Sequence, residues 1–309
     1  MAKNTKKERD TKREWLSIEL VIAMSIILGF LLPYLSAYIY QYIIYLILIM
    51  MFLTFLAVDL KETFSVKVLV LWFISNILIL PFIGYIFSLF VIKEEFRLGI
   101  LLITLAPAAI MNSFYVSLVG GNKLQAAAIS VLSNLLAIIV IPLLLFVYTG
   151  RYITINYLSL ILSLIYVILI PFIISIVFRR LSFLSFAAKA VSDKTAMITK
   201  ILLFVLLYAM IGVNSASLLK TDIVSVIAIS SLLTALSFVA GYFSGIFSKL
   251  NRQEKNTLMI STGIRNNALM IGIISSSFAP LVALPIIVNI ITHQVINVIL
   301  IRLHKKNII

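Results

Sequence analysis

The feature that most constrains this chain is repetition. Apolar runs of about 20 residues recur along almost its whole length, separated by short segments that carry charges, Pro or Gly. About 20 residues is what an α-helix needs to cross a hydrocarbon core roughly 30 Å thick. In that core the backbone must satisfy its own hydrogen bonds, which leaves helices or a closed barrel. Barrel strands alternate in polarity, and these runs do not. Composition agrees, with 62% hydrophobic residues and 12% charged, where a soluble domain has about a quarter charged. The fold class is therefore an all-α polytopic membrane protein. The chain has no Cys, which excludes a disulfide framework, a thiolate metal site and thiol catalysis. The basic start "KNTKKERDTKREW" precedes an apolar run too long for a signal-peptide core, so that run reads as a retained first helix.

Ten spans are expected, near 16–36, 39–58, 66–90, 96–119, 124–148, 155–178, 197–218, 222–247, 256–277 and 281–302. An even number puts both termini on one side. Of the 25 Lys and Arg, twenty fall on that side, four (Lys93, Arg97, Arg151 and Lys220) fall on the other, and Arg265 lies within a span. The positive-inside rule then makes both termini cytoplasmic in the cell membrane, with residues 1–15 a basic N-terminal tail and 304–309 a C-terminal tail. This placement accounts for the formal charge of +14. The cations are spread over short loops, so the expected surroundings are membrane lipid, with no nucleic acid and no protein partner implied.

The two halves, 16–148 and 155–303, look related. The fourth span contains "APAAIMNSFYVSLVGGNK", and the ninth contains "STGIRNNALMIGIISSS". Each is the fourth of five spans and places Gly, Asn and either Pro or Arg inside an apolar run. Five is odd, so a five-plus-five repeat must be inverted in the membrane. Paired, interrupted segments at matching positions point to a transporter's binding site.

Arg265 is the charged residue near the middle of a span; Glu19 and Lys67 stand at span ends, where long side chains reach the interface. A charge at the bilayer centre costs about 2.5–3.5 kcal/mol on the insertion scale and so faces a wet cavity or a partner. No Asp or Glu lies deep in a span. The guanidinium either staples the carbonyls of a broken helix or meets an anionic substrate. Asn112 and Ser113, beside an expected unwound stretch, are neutral groups of the kind that hold hard cations together with freed carbonyls. Ser130, Ser133 and Asn134 follow on the next span; for Ser133 and Asn134, hydrogen bonding between helices is an equal reading. His293 in "THQVIN" reads as a packing or polar-lining residue. His304 lies past the last span, so a histidine metal site is not expected. Met50, Met51, Met259 and Met270 read as apolar filler. No G-x-S-x-G, H-E-x-x-H, P-loop or aspartate-rich motif is present, and no span supplies a carboxylate base for a nucleophile. The chain is not read as an enzyme.

The pattern resembles the bile acid:sodium symporter superfamily over about residues 16–303, through "MFLTFLAVDLKETF", "NILILPFIGYI", "APAAIMNSFYVSLVGGNKLQAAAIS" and "STGIRNNALMIGIISSSFAPLVALPIIVNIITHQVIN". The last two blocks are the specific ones. The resemblance implies a panel domain of spans 1, 2, 6 and 7 against a core domain of spans 3–5 and 8–10. It also implies broken fourth and ninth helices crossing at the midplane and a rocking core that gives alternating access. One sodium site of that family falls here on Asn112, Ser113, Ala126, Ser130 and Ser261, the last at the place of a Glu. A second falls on Thr262, Ile264 and Arg265, with Asn76 as an amide ligand. Arg265 replaces a glutamine there, and at an effective dielectric near 20 two unit charges about 4 Å apart repel by about 4 kcal/mol.

The resulting expectation is a secondary transporter of a small organic anion with no cofactor, and Na⁺ as the coupling ion in question. Substrate would meet Arg265, Asn266, Asn267, Asn112 and His293. The candidate Na⁺ ligands are Asn112, Ser113, Ser130, Ser261, Thr262 and Asn76. Arg265-Asn266 also resembles the related arsenite exporters, although their cysteine and their Glu after that pair are replaced by Met111 or Asn112 and by Ala268 or Leu269. A channel or membrane sensor without coupling is the alternative of another class.

Overall fold

Where helices begin and end follows local chemistry. Pro33 keeps Leu32 out of the helical region (φ −127°, ψ 55°), and the chain turns there by 107°. Asn122, Asn156 and Asn251 cap three helices, Asn251 in a reciprocal capping box with Glu254. The computed structural model describes residues 20–56, 65–109, 111–150, 155–180, 182–220 and 224–306. In that order run α1 (Leu20–Leu31), α2 (Pro33–Tyr40), α3 (Ile43–Leu56), α4 (Val66–Ser88), α5 (Glu94–Leu105), α6 (Asn112–Leu118) and α7 (Lys123–Thr149). After them come α8 (Tyr157–Arg180), α9 (Ser182–Lys220), α10 (Val224–Phe247), α11 (Arg252–Gly263), α12 (Asn267–Ser277), a 3-10 turn (Pro280–Ala283) and α13 (Leu284–Lys305). The tail 1–15, Glu19, Lys61 and Arg151 lie outside the described residues, as do the side chains of Lys189, Lys194 and Lys220.

The protein is a helical, multi-pass membrane protein. Among the described residues, six helical stretches are long and apolar enough to cross a membrane: α4, α7, α8, the Met197–Ala216 part of α9, α10 and Pro280–Lys305. The bent pair α1–α2 makes a seventh if it is one span. The fourth and ninth runs, 96–119 and 256–277, are each two shorter helices, interrupted at the "APAAIM" and "IRN" segments as the resemblance implies, whereas the first run, expected without a break, is interrupted at Pro33. In α4 and α8 the backbone widens into π-helical turns, Ile74–Ile79 and Ile165–Leu169. Each lies just before a proline, Pro81 or Pro171, whose missing N–H cannot complete the ordinary ladder.

Packing sorts the helices into two groups. α9 lies against α2 and α3, and α3 against α8. Edge-on ring pairs Phe52–Phe178 and Phe55–Phe172, with centroids 5.3 and 5.2 Å apart, hold α3 to α8. In the other group α10 packs on α11 and α13, α5 on α4 and α13, and α6 on α7 and α11. Small residues permit the closest approaches: a Cβ on Gly263 would fall 2.3 Å from the Phe238 ring. α12, wedged against α3 and α8, and α7, packed on α8, join the groups.

Candidate functional site

The two helix breaks meet. Ala109 N–H donates to the Ile264 carbonyl at 3.0 Å, and Asn266 N–H donates to the Pro107 carbonyl at 2.7 Å, forming one antiparallel bridge between Ala108 and Arg265. Pro107 has no N–H to continue α5, so the backbone there extends and finds its partners across the chain. Side chains from the neighbouring helix serve what remains. The Ser133 hydroxyl accepts from Ala108 N–H at 3.2 Å, and Asn134 Nδ2 donates to the Ala108 carbonyl at 3.0 Å.

Arg265 is 2% exposed. Its Nη1 donates to the Ala106 carbonyl at 3.0 Å, while Nε and Nη2 are buried without a partner. The carboxylates among the described side chains, Glu94, Glu95 and Glu254, stand at the starts of α5 and α11, and none is buried. One neutral carbonyl offsets only part of the cost of burying a guanidinium, which is several kcal/mol. Among the described side chains no opposite charge meets this guanidinium, and two of its nitrogens are left as spare donors.

The expected site residues separate into three sets. In the first, Asn112 Nδ2 donates to Ser261 Oγ at 2.9 Å, to the Ala126 carbonyl at 3.3 Å and to Ser130 Oγ at 3.5 Å. Asn76 Nδ2, in the widened turn of α4, reaches the Trp72 carbonyl at 2.8 Å and Thr262 Oγ1 at 3.5 Å. Half-buried Ser113 takes no part in these contacts. The second set is Arg265 with Asn266, whose Nδ2 donates to Asn134 Oδ1 at 2.6 Å and whose Oδ1 caps α12 at Leu269 N–H. The third is Asn267 and His293, with Asn267 Nδ2 3.3 Å from the ring Nδ1.

As a cation site the first set fits poorly. Its oxygens are neutral, and the Asn112 amide nitrogen faces Ser261, Ser130 and the Ala126 carbonyl, while Asn112 Oδ1 and Asn76 Oδ1 are buried without partners. Hard cations are held by several oxygens, commonly with carboxylates among them. Beside this set lies a cavity of about 20 Å³ lined by Asn76, Ala106, Pro107 and Ser133 among others, room for about one water. A larger groove, about 520 Å³, opens between α3, α8 and α12, with Asn156, Ser159, Ser163, Tyr166 and Ser276 on its walls.

Three participants were not legible in sequence. Trp72 Nε1 donates to the Ser261 carbonyl at 2.8 Å, Tyr115 Oη donates to Gln294 Oε1 at 2.9 Å, and the Met51 sulfur accepts from Asn266 Nδ2 at 3.7 Å. Met51 is therefore more than apolar filler: it sits on the break from the opposite group of helices. Its run of apolar neighbours gave no signal of this.

Interrupted membrane helices whose broken ends meet beside a buried guanidinium are an arrangement of the class of membrane transporters. The chain belongs to the sodium bile acid symporter family, whose model matches residues 42–221. Over 247 residues it is 24% identical to YocS of Bacillus subtilis, described as an uncharacterized sodium-dependent transporter, covering 79% of this chain and 76% of that protein. Over 245 residues it is 23% identical to BASS1 of Arabidopsis thaliana, a probable chloroplastic sodium/metabolite cotransporter, covering 79% of this chain and 57% of that longer one.

Proposed function

We propose that this protein moves a small organic anion by alternating access and that Arg265 supplies the positive charge of its site. The observation that carries the reading is the buried guanidinium with Nε and Nη2 unpartnered and no buried carboxylate among the described side chains. Two groups of helices that meet at α12 and α7 support a panel of α1–α3, α8 and α9 facing a core of α4–α7 and α10–α13. The antiparallel pairing of the two breaks supports a five-plus-five inverted repeat in which α5–α6 and α11–α12 are the fourth and ninth spans. With the charge bias of the loops, both termini lie in the cytoplasm and the protein in the cell membrane.

Sodium is a weak candidate for the coupling ion. Arg265 stands where a second cation would have to bind, and the neutral set at Asn112 accepts one only if that amide turns. Counterflow tests the reading. In sodium-free proteoliposomes, unlabelled cholate or pyruvate inside should drive saturable entry of the same labelled anion. Conductance without counterflow would mean a channel instead.

A further inference from the structure

We propose that His293 is the proton-binding residue of this transporter, so that the anion at Arg265 and a proton at His293 bind together and are carried together. The inference rests on the anion-transport reading and goes beyond it. His293 lies on α13, 6% exposed, with Nδ1 3.3 Å from Asn267 Nδ2. Asn267 opens α12, and its backbone N–H donates to the Arg265 carbonyl at 2.9 Å. Asn267 thus touches the ring with its side-chain amide and the main chain of Arg265 with its backbone N–H, which places the ring one residue from the break that carries the fixed charge.

The amide and the ring answer to one another. With Nδ2 of Asn267 set toward Nδ1, the neutral ring accepts there and carries its proton on Nε2; the ring also hydrogen-bonds to the Asn289 backbone one turn back on α13. Asn267 Oδ1 is buried and has no partner. Protonation at Nδ1 turns that nitrogen into a donor and sets two donors face to face. A half-turn of the Asn267 amide resolves the clash by bringing Oδ1 to the ring, so the oxygen that is orphaned beside neutral histidine is satisfied beside the imidazolium. The proton comes from water, no covalent bond to a heavy atom is made or broken, and the complex gains one positive charge.

That charge is unwelcome without an anion. It would join Arg265 and the positive N-terminal end of α12, and among the described side chains no buried carboxylate opposes it. Elements packed on α13 are α5, α10, α12 and the 3-10 turn. Their charged or titratable groups are Glu94, Glu95 and Arg97 at the far start of α5 and Tyr242 near the end of α10; α12 and the turn have none. From α6, Tyr115 reaches Gln294 and stays neutral near physiological pH. On α13 itself, Arg302, His304 and Lys305 are in the last turn. An anion beside Arg265 therefore favours the protonated ring, and by linkage the protonated ring favours the anion.

The chain has two histidines, so histidine-selective ¹⁵N labelling of the full-length protein in lipid nanodiscs gives two pairs of ring-nitrogen signals, which His304→Gln assigns. Without any substrate, at about pH 6, the His293 ring should be neutral in the wild type and in Arg265→Lys, and its protonated fraction should rise several-fold in Arg265→Gln. Identical titration in all three overturns the proposal. If Arg265→Gln does not fold, counterflow decides: wild-type uptake should rise toward about tenfold for each unit fall in pH, and the rate that remains in His293→Gln should be flat with pH. Flat wild-type uptake, or undiminished pH dependence in His293→Gln, overturns proton coupling while leaving anion transport standing. Absence of counterflow in the wild type sinks the transport reading instead, and the ring titration alone then judges the link between His293 and Arg265.

Discussion

The two helix breaks share a backbone solution and differ in almost everything else. The first, between α5 and α6, presents only apolar side chains at Ala106, Pro107, Ala108 and Ala109, and its contribution is carbonyls and N–H groups. The second, between α11 and α12, places Arg265 and Asn266 at the same level. The helices that follow differ as well. α12 is buried from Leu269 to Ile274 and wedged against α3 and α8, with Gly272 set on Ile47. α6 packs chiefly on α7 and α11 and leaves Ser113, Phe114 and Leu118 half-buried and Ser117 exposed. One break is a neutral frame and the other carries the charge; one following helix is shut against the opposite group and the other is open. In the alternating-access reading this asymmetry is what one end state of the cycle requires.

The contrast can be broken most severely at the charge. Arg265→Ala should lower anion counterflow by about 100-fold, the scale of losing an oriented buried donor, while the protein still inserts and purifies. Arg265→Lys should keep a measurable part, since it retains the charge but not the forked donors. Next comes the frame: Asn134→Leu removes the donor to Ala108 and the acceptor for Asn266. It should cost about 2–4 kcal/mol, by two buried groups losing partners, read as a lower unfolding midpoint in detergent. Wild-type stability in that variant would show that the crossing does not depend on its side-chain struts.

The difference in packing gives a milder test. A Cβ on Gly272 would lie 3.0 Å from Ile47 Cδ1, so Gly272→Leu should push α12 from α3. Since the chain has no native Cys, Ser276→Cys can report alone: its labelling by an impermeant maleimide should speed up in the Gly272→Leu background, and an unchanged rate would argue against α12 as the closed side. The smallest effect is expected at the α6–α7 turn. Gly120 has φ +68° beside the His304 ring, and Gly120→Ala should lower stability by about 1 kcal/mol, from backbone strain.

Much of this was legible in sequence, for identifiable reasons. Pro107 and the polar run Arg265-Asn266-Asn267 interrupt apolar helices, and interruption is a local property that a sequence displays. Arg265 stood out because charge within a span is costly wherever it falls. What sequence could not give was register between helices. Asn112, Ser130 and Ser261 were expected together and do converge, but Asn267 with His293 forms a separate set, and Ser113 joins none. Asn134 could as well have been ordinary helix-to-helix glue; only the fold brings it to both breaks. Trp72, Met51 and Tyr115 were invisible because each acts on a partner more than 170 positions away, and nothing in their local pattern marks that partner. The ten expected runs likewise ignored the bend at Leu32, whose cause, Pro33, was in plain view.

The claim on which the account turns is that Arg265 takes the place of a bound cation and receives an anion. Thermal unfolding of the purified protein at matched ionic strength tests it, because a ligand that binds only the folded state raises apparent stability by mass action. Na⁺ compared with choline should produce no shift, an organic anion such as cholate or pyruvate should raise the midpoint in sodium-free buffer, and Arg265→Gln should lose that rise. A sodium-specific shift in the wild type, with no anion effect or with one that survives Arg265→Gln, would contradict the account.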